Sequence, residues 1–256
     1  MRFGICTNLQ QATELKQGVA DYIELNLSHI YAMTEEEIKN ALNIMSSFNL
    51  SVETTNCFFP REVKLCGKDY DIKKVAEYTK RALFNASILG IDTCVLGSGG
   101  ARNIDEGENK AQCIKQIEEA IYTSAEIAKG FGITIAIEPL NKNECNMINT
   151  LSEGAEWCKK LSHPNVMLLA DIYHMSIENE TYEHICKYGN VIKHIHISRP
   201  ESKFFPNKND GFDYSILKNI IDRANYNSRI SIEARCDDNF AKTASESLEF
   251  LKSIFC

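Results

Sequence analysis

The sequence lacks the features that would direct it to a membrane or to a nucleic acid. No stretch approaches the roughly eighteen apolar residues of a spanning helix, and the N-terminus, MRFGICTNLQQ, has no apolar leader core. Lys and Arg form no basic run and the net charge is −7, which argues against DNA, RNA or an anionic membrane as the main partner. No CxxC pair and no zinc-finger spacing occurs among the ten cysteines (Cys6, Cys57, Cys66, Cys94, Cys113, Cys145, Cys158, Cys186, Cys236, Cys256). Without a leader, they read as reduced, mostly buried small hydrophobes of a cytoplasmic protein. There is no Pro/Gly/Ser-rich linker, no sequence-level repeat, and no GxGxxG after the first strand to support a doubly wound dinucleotide fold.

What is present is alternation. The 256 residues are 44% hydrophobic and 25% charged, an ordinary globular balance. Strand-like runs recur at Arg2–Asn8, Tyr22–Leu27, Ser51–Cys57, Asp92–Leu96, Ile133–Leu140, Val166–Asp171, Val191–Ser198 and Ile230–Arg235. Helical patterns separate them: Leu9–Gln17, Thr34–Phe48 with Thr34 and Glu37 in a capping-box spacing, Tyr70–Leu89 stopped by Gly90, and Asn109–Gly130 ended by Lys129 and Gly130. Ser152–Leu161, Glu178–Tyr188, Asp213–Ala224 and Asn239–Phe255 complete the set. Eight strand–helix units in about 250 residues predict an α/β fold, a closed (β/α)₈ barrel forming one domain over residues 1–256.

In such a barrel, chemistry gathers at the C-terminal ends of the strands. Ile133, Ile135 and Ile137 share the helix-covered face of their strand, so Glu138 falls on the inner face at its tip. The next three strands bring Asp171, then His194 and the higher-lying His196, then Glu233. Taken singly, each has a bland reading: Asp171 as a helix cap, His194 as a core histidine, Glu233 as a partner of Arg235. On four consecutive strands they form a set of three carboxylates and one imidazole, which repel unless a cation sits among them. The donor set suits one divalent ion, Mn²⁺ first, with Mg²⁺, Co²⁺ or Zn²⁺ as alternatives. Arg102, after Gly97-Ser98-Gly99-Gly100, is a candidate holder of a substrate phosphate or carboxylate, or a solvated turn residue. Asn56 and Phe58 are candidate pocket walls. Glu24, inward on the second strand, either supports the site or pairs with another barrel residue.

The blocks IEPLNKNE, LLADIYHM, HIHIS and ISIEAR together resemble the sugar phosphate isomerase/epimerase family. These are xylose isomerase-like TIM barrels that include D-tagatose and D-psicose 3-epimerases and hydroxypyruvate isomerase. The resemblance implies Glu138, Asp171, His196 and Glu233 as metal ligands and Glu138 and Glu233 as the acid–base pair. Glu144 and His174 match positions that bind substrate hydroxyls. It also implies a small sugar or sugar phosphate as substrate, and a homodimer or homotetramer. The chain departs from the ketose 3-epimerases where they carry an Arg six residues beyond the metal-binding His. Ser202 stands there, with Arg199 nearby as a substrate-binding candidate and Pro206-Asn207-Lys208 in place of PGxG. The chemistry expected is proton transfer beside a carbonyl through an ene-diolate, giving epimerisation or aldose–ketose isomerisation. An inosose dehydratase-like lyase is the alternative on the same barrel. An apurinic-site endonuclease would need extra histidines at the third and fourth strand ends, where Asn56 and Gly97-Ser98 stand.

Overall fold

The computed structural model of the protein describes residues 1–236 and 239–256. The eight strands are β1 (Arg2–Cys6), β2 (Tyr22–Asn26), β3 (Val52–Asn56), β4 (Thr93–Leu96), β5 (Thr134–Ile137), β6 (Val166–Asp171), β7 (Ile192–Ile197) and β8 (Arg229–Ile232). They close in sequence order into a barrel, and every neighbouring pair, including β1 with β8, is parallel. The outward side chains Phe3, Ile5, Ile135, Ile137, Ile195, Ile197, Ile230 and Ile232 are buried under the helices, as parallel strands require.

Helix boundaries follow local chemistry. Thr34 and Glu37 form the reciprocal capping box that starts Glu35–Phe48, and Gly90, at φ +84°, follows the end of Ile72–Ile88. Two expectations are corrected. Gly130 lies inside the helix Lys110–Gly130, and the left-handed residue that turns the chain is Gly132. The helix read over Glu178–Tyr188 begins only at Glu183, and a separate short helix, Ile172–Ile177, precedes that segment, with Asn179 at φ +53° between the two.

The barrel interior is unusually polar below the rim. Only a small apolar group, Val95, Ala136 and Leu169, fills one part of it. Arg229 plugs the lower end, donating to Asp92, Glu53 and Thr93. Gly4, paired with Tyr22 across β1 and β2, leaves the space that the Tyr22 ring occupies, since a Cβ there would overlap the ring. The Tyr22 hydroxyl then lies 2.8 Å from Ser231 Oγ.

Strands β5 and β8 end at Ile137 and Ile232, so Glu138 and Glu233 stand one residue beyond the regular ladder. Each is still held by its backbone: Glu138 N–H donates to Leu96 O at 3.1 Å and Glu233 N–H to Ile197 O at 3.2 Å. Rim position with a fixed backbone is the condition a precise site needs.

Among the described residues no helix is long and apolar enough to cross a membrane. Cys66, Cys94, Cys113, Cys145 and Cys158 are buried and Cys57 and Cys256 exposed, so the thiols are less uniformly interior than composition suggests. The glycine at position 4 is open to test. Gly4→Ala should lower the thermal midpoint by roughly 3–10 °C, the range expected for overpacking a core of this size. An unchanged midpoint would show that Tyr22 can give way.

Candidate metal centre

Glu138, Asp171, His196 and Glu233 converge at the rim, each offering one ligand atom, and these atoms all lie within 4.8 Å of one another. Register accounts for part of this, because Asp171 pairs with His196 across β6 and β7. The Nδ1 of His196 is 3.3 Å from Glu138 Oε1, 3.7 Å from Glu233 Oε2 and 4.0 Å from Asp171 Oδ2.

Each of the four is fixed by a second contact. Asp171 Oδ1 accepts from the backbone N–H of Tyr173 at 2.7 Å and of His174 at 3.3 Å, capping the helix Ile172–Ile177. Its Oδ2 is buried and has no hydrogen-bond partner among the described residues. The bland cap reading and the ligand reading therefore use different oxygens of one carboxylate. Glu233 Oε1 accepts from Asn56 Nδ2 at 3.0 Å. Glu138 lies against Gly97, where a Cβ would overlap its Oε2. His196 Nε2 lies 2.9 Å from Glu24 Oε1.

Glu24 is completely buried. Its Oε2 takes Ser231 Oγ at 2.6 Å, His194 Nε2 at 2.8 Å and Thr54 Oγ1 at 2.9 Å. Burial opposes its ionisation, but His196 and His194 outweigh that and hold its pKa well below the usual range. Burial also opposes the His196 imidazolium, yet Glu24 and Glu233 raise its pKa well above the ordinary value. His194 is pushed down by burial despite Glu24. The two rim glutamates diverge. Burial, together with the charge of Glu233, raises Glu138. Glu233 is lowered to about 2 because Lys203 and His196 overcome its burial.

Lys203 was not among the residues singled out from sequence. Its Nζ is 2.8 Å from Glu233 Oε2 and 3.9 Å from Asp171 Oδ2, and it lies over the Tyr173 ring. Burial works against its charge, but Glu233, Asp171 and Glu138 raise its pKa. The signal for it lay one place past Ser202. Lys203 has a left-handed backbone, φ +59°, and the loop is tied to the β8 exit by Arg235 N–H donating to Lys203 O at 2.7 Å.

Other candidates fall in different places. His174 is buried. Its Nδ1 accepts from the Asn141 backbone N–H at 3.2 Å, which puts the ring proton on Nε2. That Nε2 is 3.7 Å from Asp171 Oδ2 and has no hydrogen-bond partner among the described residues. Glu144 is exposed and accepts from Asn141 Nδ2 at 3.1 Å. One arginine requires correction. Arg102 is fully buried, not at the mouth. Its guanidinium donates to the carbonyls of Leu96 at 3.1 Å and Glu138 at 2.7 Å, bracing the β4 and β5 tips, which leaves no free face for a phosphate. Arg199 donates from Nε to Phe205 O at 2.7 Å and lies 3.8 Å from Asp210, so it organises its own loop.

The residues fit a hard divalent cation. Three carboxylates and one imidazole are the appropriate donors, an orphaned buried oxygen points into their midst, and a glycine makes room for Glu138. A cavity of about 450 Å³ opens beside Glu233, lined also by Cys6, Glu24, Asn26, His29 and Asn56. A larger one, about 740 Å³, lies by the helix Leu151–Leu161 and is lined by none of the four.

Comparison with known proteins agrees with this fold. The chain matches L-ribulose 3-epimerase of Methylomonas sp. strain DH-1 at 26% identity over 208 residues, 78% of this chain and 70% of that protein. It matches D-psicose 3-epimerase of Agrobacterium fabrum strain C58 at 28% over 185 residues, 69% of this chain and 62% of that protein, less than two thirds of its length. A solved structure of D-psicose 3-epimerase, obtained in the presence of D-fructose, shares the fold with a TM-score of 0.88 at 20% identity, covering 100% of this chain and 99% of that one. The model of the xylose isomerase-like TIM barrel family matches residues 12–254, and the chain belongs to that family.

Proposed function

We propose that the protein is a divalent-metal-dependent epimerase or isomerase of a small sugar or sugar phosphate. The observation that carries this is the convergence of Glu138, Asp171, His196 and Glu233 within 4.8 Å at the barrel rim. The naming of its relatives as ketose 3-epimerases supports the substrate class.

When bound, a divalent ion held by these four residues supplies Lewis-acid polarisation of the substrate's oxygens. The residues do the rest. Glu233, kept as a carboxylate by Lys203 and His196, takes the proton from the carbon beside the substrate carbonyl, and the electron pair moves onto the carbonyl oxygen to give an ene-diolate. Glu138, whose pKa burial and the charge of Glu233 raise, returns a proton to that carbon from the other side. The result is epimerisation, and it leaves the two carboxyl groups with exchanged protons, ready for the reverse reaction. Return of the proton to the neighbouring carbon gives aldose–ketose isomerisation instead. Asn56 and Lys203 hold the two oxygens of Glu233, one each. His174 Nε2–H is placed to donate to a substrate hydroxyl.

Because the returned proton comes from Glu138 and so from solvent, turnover in D₂O with Mn²⁺ should place deuterium at the carbon beside the carbonyl across a panel of free and phosphorylated ketoses. EDTA should abolish it. No exchange into any of them, with Mn²⁺ shown to be bound, would remove the assignment, and net loss of water would reassign the protein as a dehydratase. The raised pKa of His196 has its own consequence, since a proton held there at neutral pH competes with the metal. Mn²⁺ binding near pH 7 should release about one proton, and affinity should fall as pH drops. Calorimetry in two buffers of different ionisation enthalpy reads this directly, and a proton count of zero would contradict it. Gly97→Ala should displace Glu138 and weaken Mn²⁺ at least about tenfold, as moving one ligand does, with the fold retained by circular dichroism.

A further inference from the structure

We infer that Glu24 is a positioning residue that fixes the tautomer of His196, so that Nδ1 presents a lone pair to the rim carboxylates. The inference rests on the reading of His196 as a metal ligand. Its basis is the donor arrangement around one buried side chain. Glu24 cannot donate as a carboxylate, and its Oε1 faces His196 Nε2 at 2.9 Å. That nitrogen must therefore carry the hydrogen, which leaves Nδ1, 3.3 Å from Glu138 Oε1, free to act as a ligand.

The other oxygen explains why Glu24 stays oriented. Oε2 receives three groups, Thr54 Oγ1, His194 Nε2 and Ser231 Oγ, at 2.9, 2.8 and 2.6 Å. Tyr22 OH, 2.8 Å from Ser231 Oγ, extends the set toward the β1–β2 side of the barrel. The carboxylate is clamped by donors from β3, β7 and β8, and the His194 ring meets the His196 ring edge-on with centroids 5.0 Å apart.

A glutamine at the same place must choose where to put its NH₂. Turned toward the Oε2 seat, it faces three donors. Turned toward the Oε1 seat, it faces one, and that one is His196. The second choice has fewer conflicts, and it makes Nε2 an acceptor and moves the imidazole hydrogen to Nδ1, aimed at the carboxylates. The ligand is then lost without any change in side-chain volume.

Mn²⁺ affinity of wild type, Glu24→Gln and Thr54→Val, measured by calorimetry, tests this, with Glu138→Gln as a check that the rim is the site. Glu24→Gln should bind about 10- to 100-fold more weakly, the range for losing such a supporting contact, while Thr54→Val, which removes a donor to the same carboxylate but leaves the His196 contact, should stay within about threefold. Equal affinity of wild type and Glu24→Gln overturns the inference, as does an equal loss in Thr54→Val, which would mark the role as merely structural. Failure of wild type itself to bind Mn²⁺, or binding indifferent to Glu138→Gln, overturns the reading of the rim and this inference with it. A measurement needing no variant decides the matter if Glu24→Gln does not fold. With diamagnetic Mg²⁺ bound, two-bond ¹H–¹⁵N correlations of the wild-type protein should show His196 with a hydrogen on Nε2 and none on Nδ1. A hydrogen on Nδ1 overturns it.

Discussion

Electrostatic repulsion among carboxylates at a closed rim is the constraint that the surrounding structure answers. Two unit charges 4.8 Å apart, the bound within which all the ligand atoms lie, repel by about 3.5 kcal/mol at an effective dielectric of about 20. Three carboxylates make three such pairs, together roughly 10 kcal/mol, which is comparable to the whole stability of an ordinary domain. Positive charge near them is therefore a requirement of folding as well as of chemistry. The protein places Lys203 beside Glu233 and Asp171, sets His196 among all three, and lets Glu138 ionise less readily than Glu233. A divalent cation, when bound, meets the same demand more completely.

Three of the rim side chains are tied to the protein through one atom; Asp171 and His196 leave another toward a shared point, while the second oxygen of Glu233 faces Lys203. Asp171 caps a helix with Oδ1, Glu233 takes Asn56 with Oε1, and His196 holds Glu24 with Nε2. Glu138 has no such side-chain donor on Oε2; it is confined by Gly97 and by the backbone that Arg102 braces beneath it. Rotamer freedom is thus removed before any ligand arrives, which is how a site on strand tips becomes more precise than one on free loops. It also divides labour between the two glutamates. Lys203 and His196 lower the pKa of one, while burial and the charge of that neighbour raise the other's, and the proposed roles of base and acid rest on this difference.

The barrel was legible in the sequence because strand and helix periods differ and alternate without interruption, and because inward and outward residues separate cleanly in runs such as ITIAIE and HIHIS. The four rim positions could be read for the same reason: a strand fixes which way its last side chain points. What could not be read depends on contacts between distant segments or on backbone hand. Arg102 follows a Gly-rich turn and looks like an anion holder, but the short helix Gly99–Arg102 turns it inward to carbonyls contributed by β4 and the residue after β5. Lys203 escaped because an offset counted along the chain assumes an unkinked loop, and a left-handed residue shifts the side chain that reaches the rim. Glu24 was seen to point inward, but its partners come from β3, β7 and β8, up to 207 positions away, and no local pattern announces them.

That Glu24 exists at all is informative on energetic grounds. A completely buried carboxylate gains little or no net stability from its partners, since desolvation offsets most of the attraction, and well-packed apolar residues in its place are often as stable or more so. Leucine at position 24, with apolar neighbours to match, would build an adequate barrel. The polar arrangement is thus better explained by what it orients than by what it stabilises. An imidazole with both nitrogens free to exchange their hydrogen is an unreliable ligand, half the time offering an N–H where a lone pair is needed. One acceptor-only group, itself immobilised by three donors on its other oxygen, removes that ambiguity. The interior network and the rim are then a single device, in which a buried charge decides which atom of His196 faces the rim carboxylates.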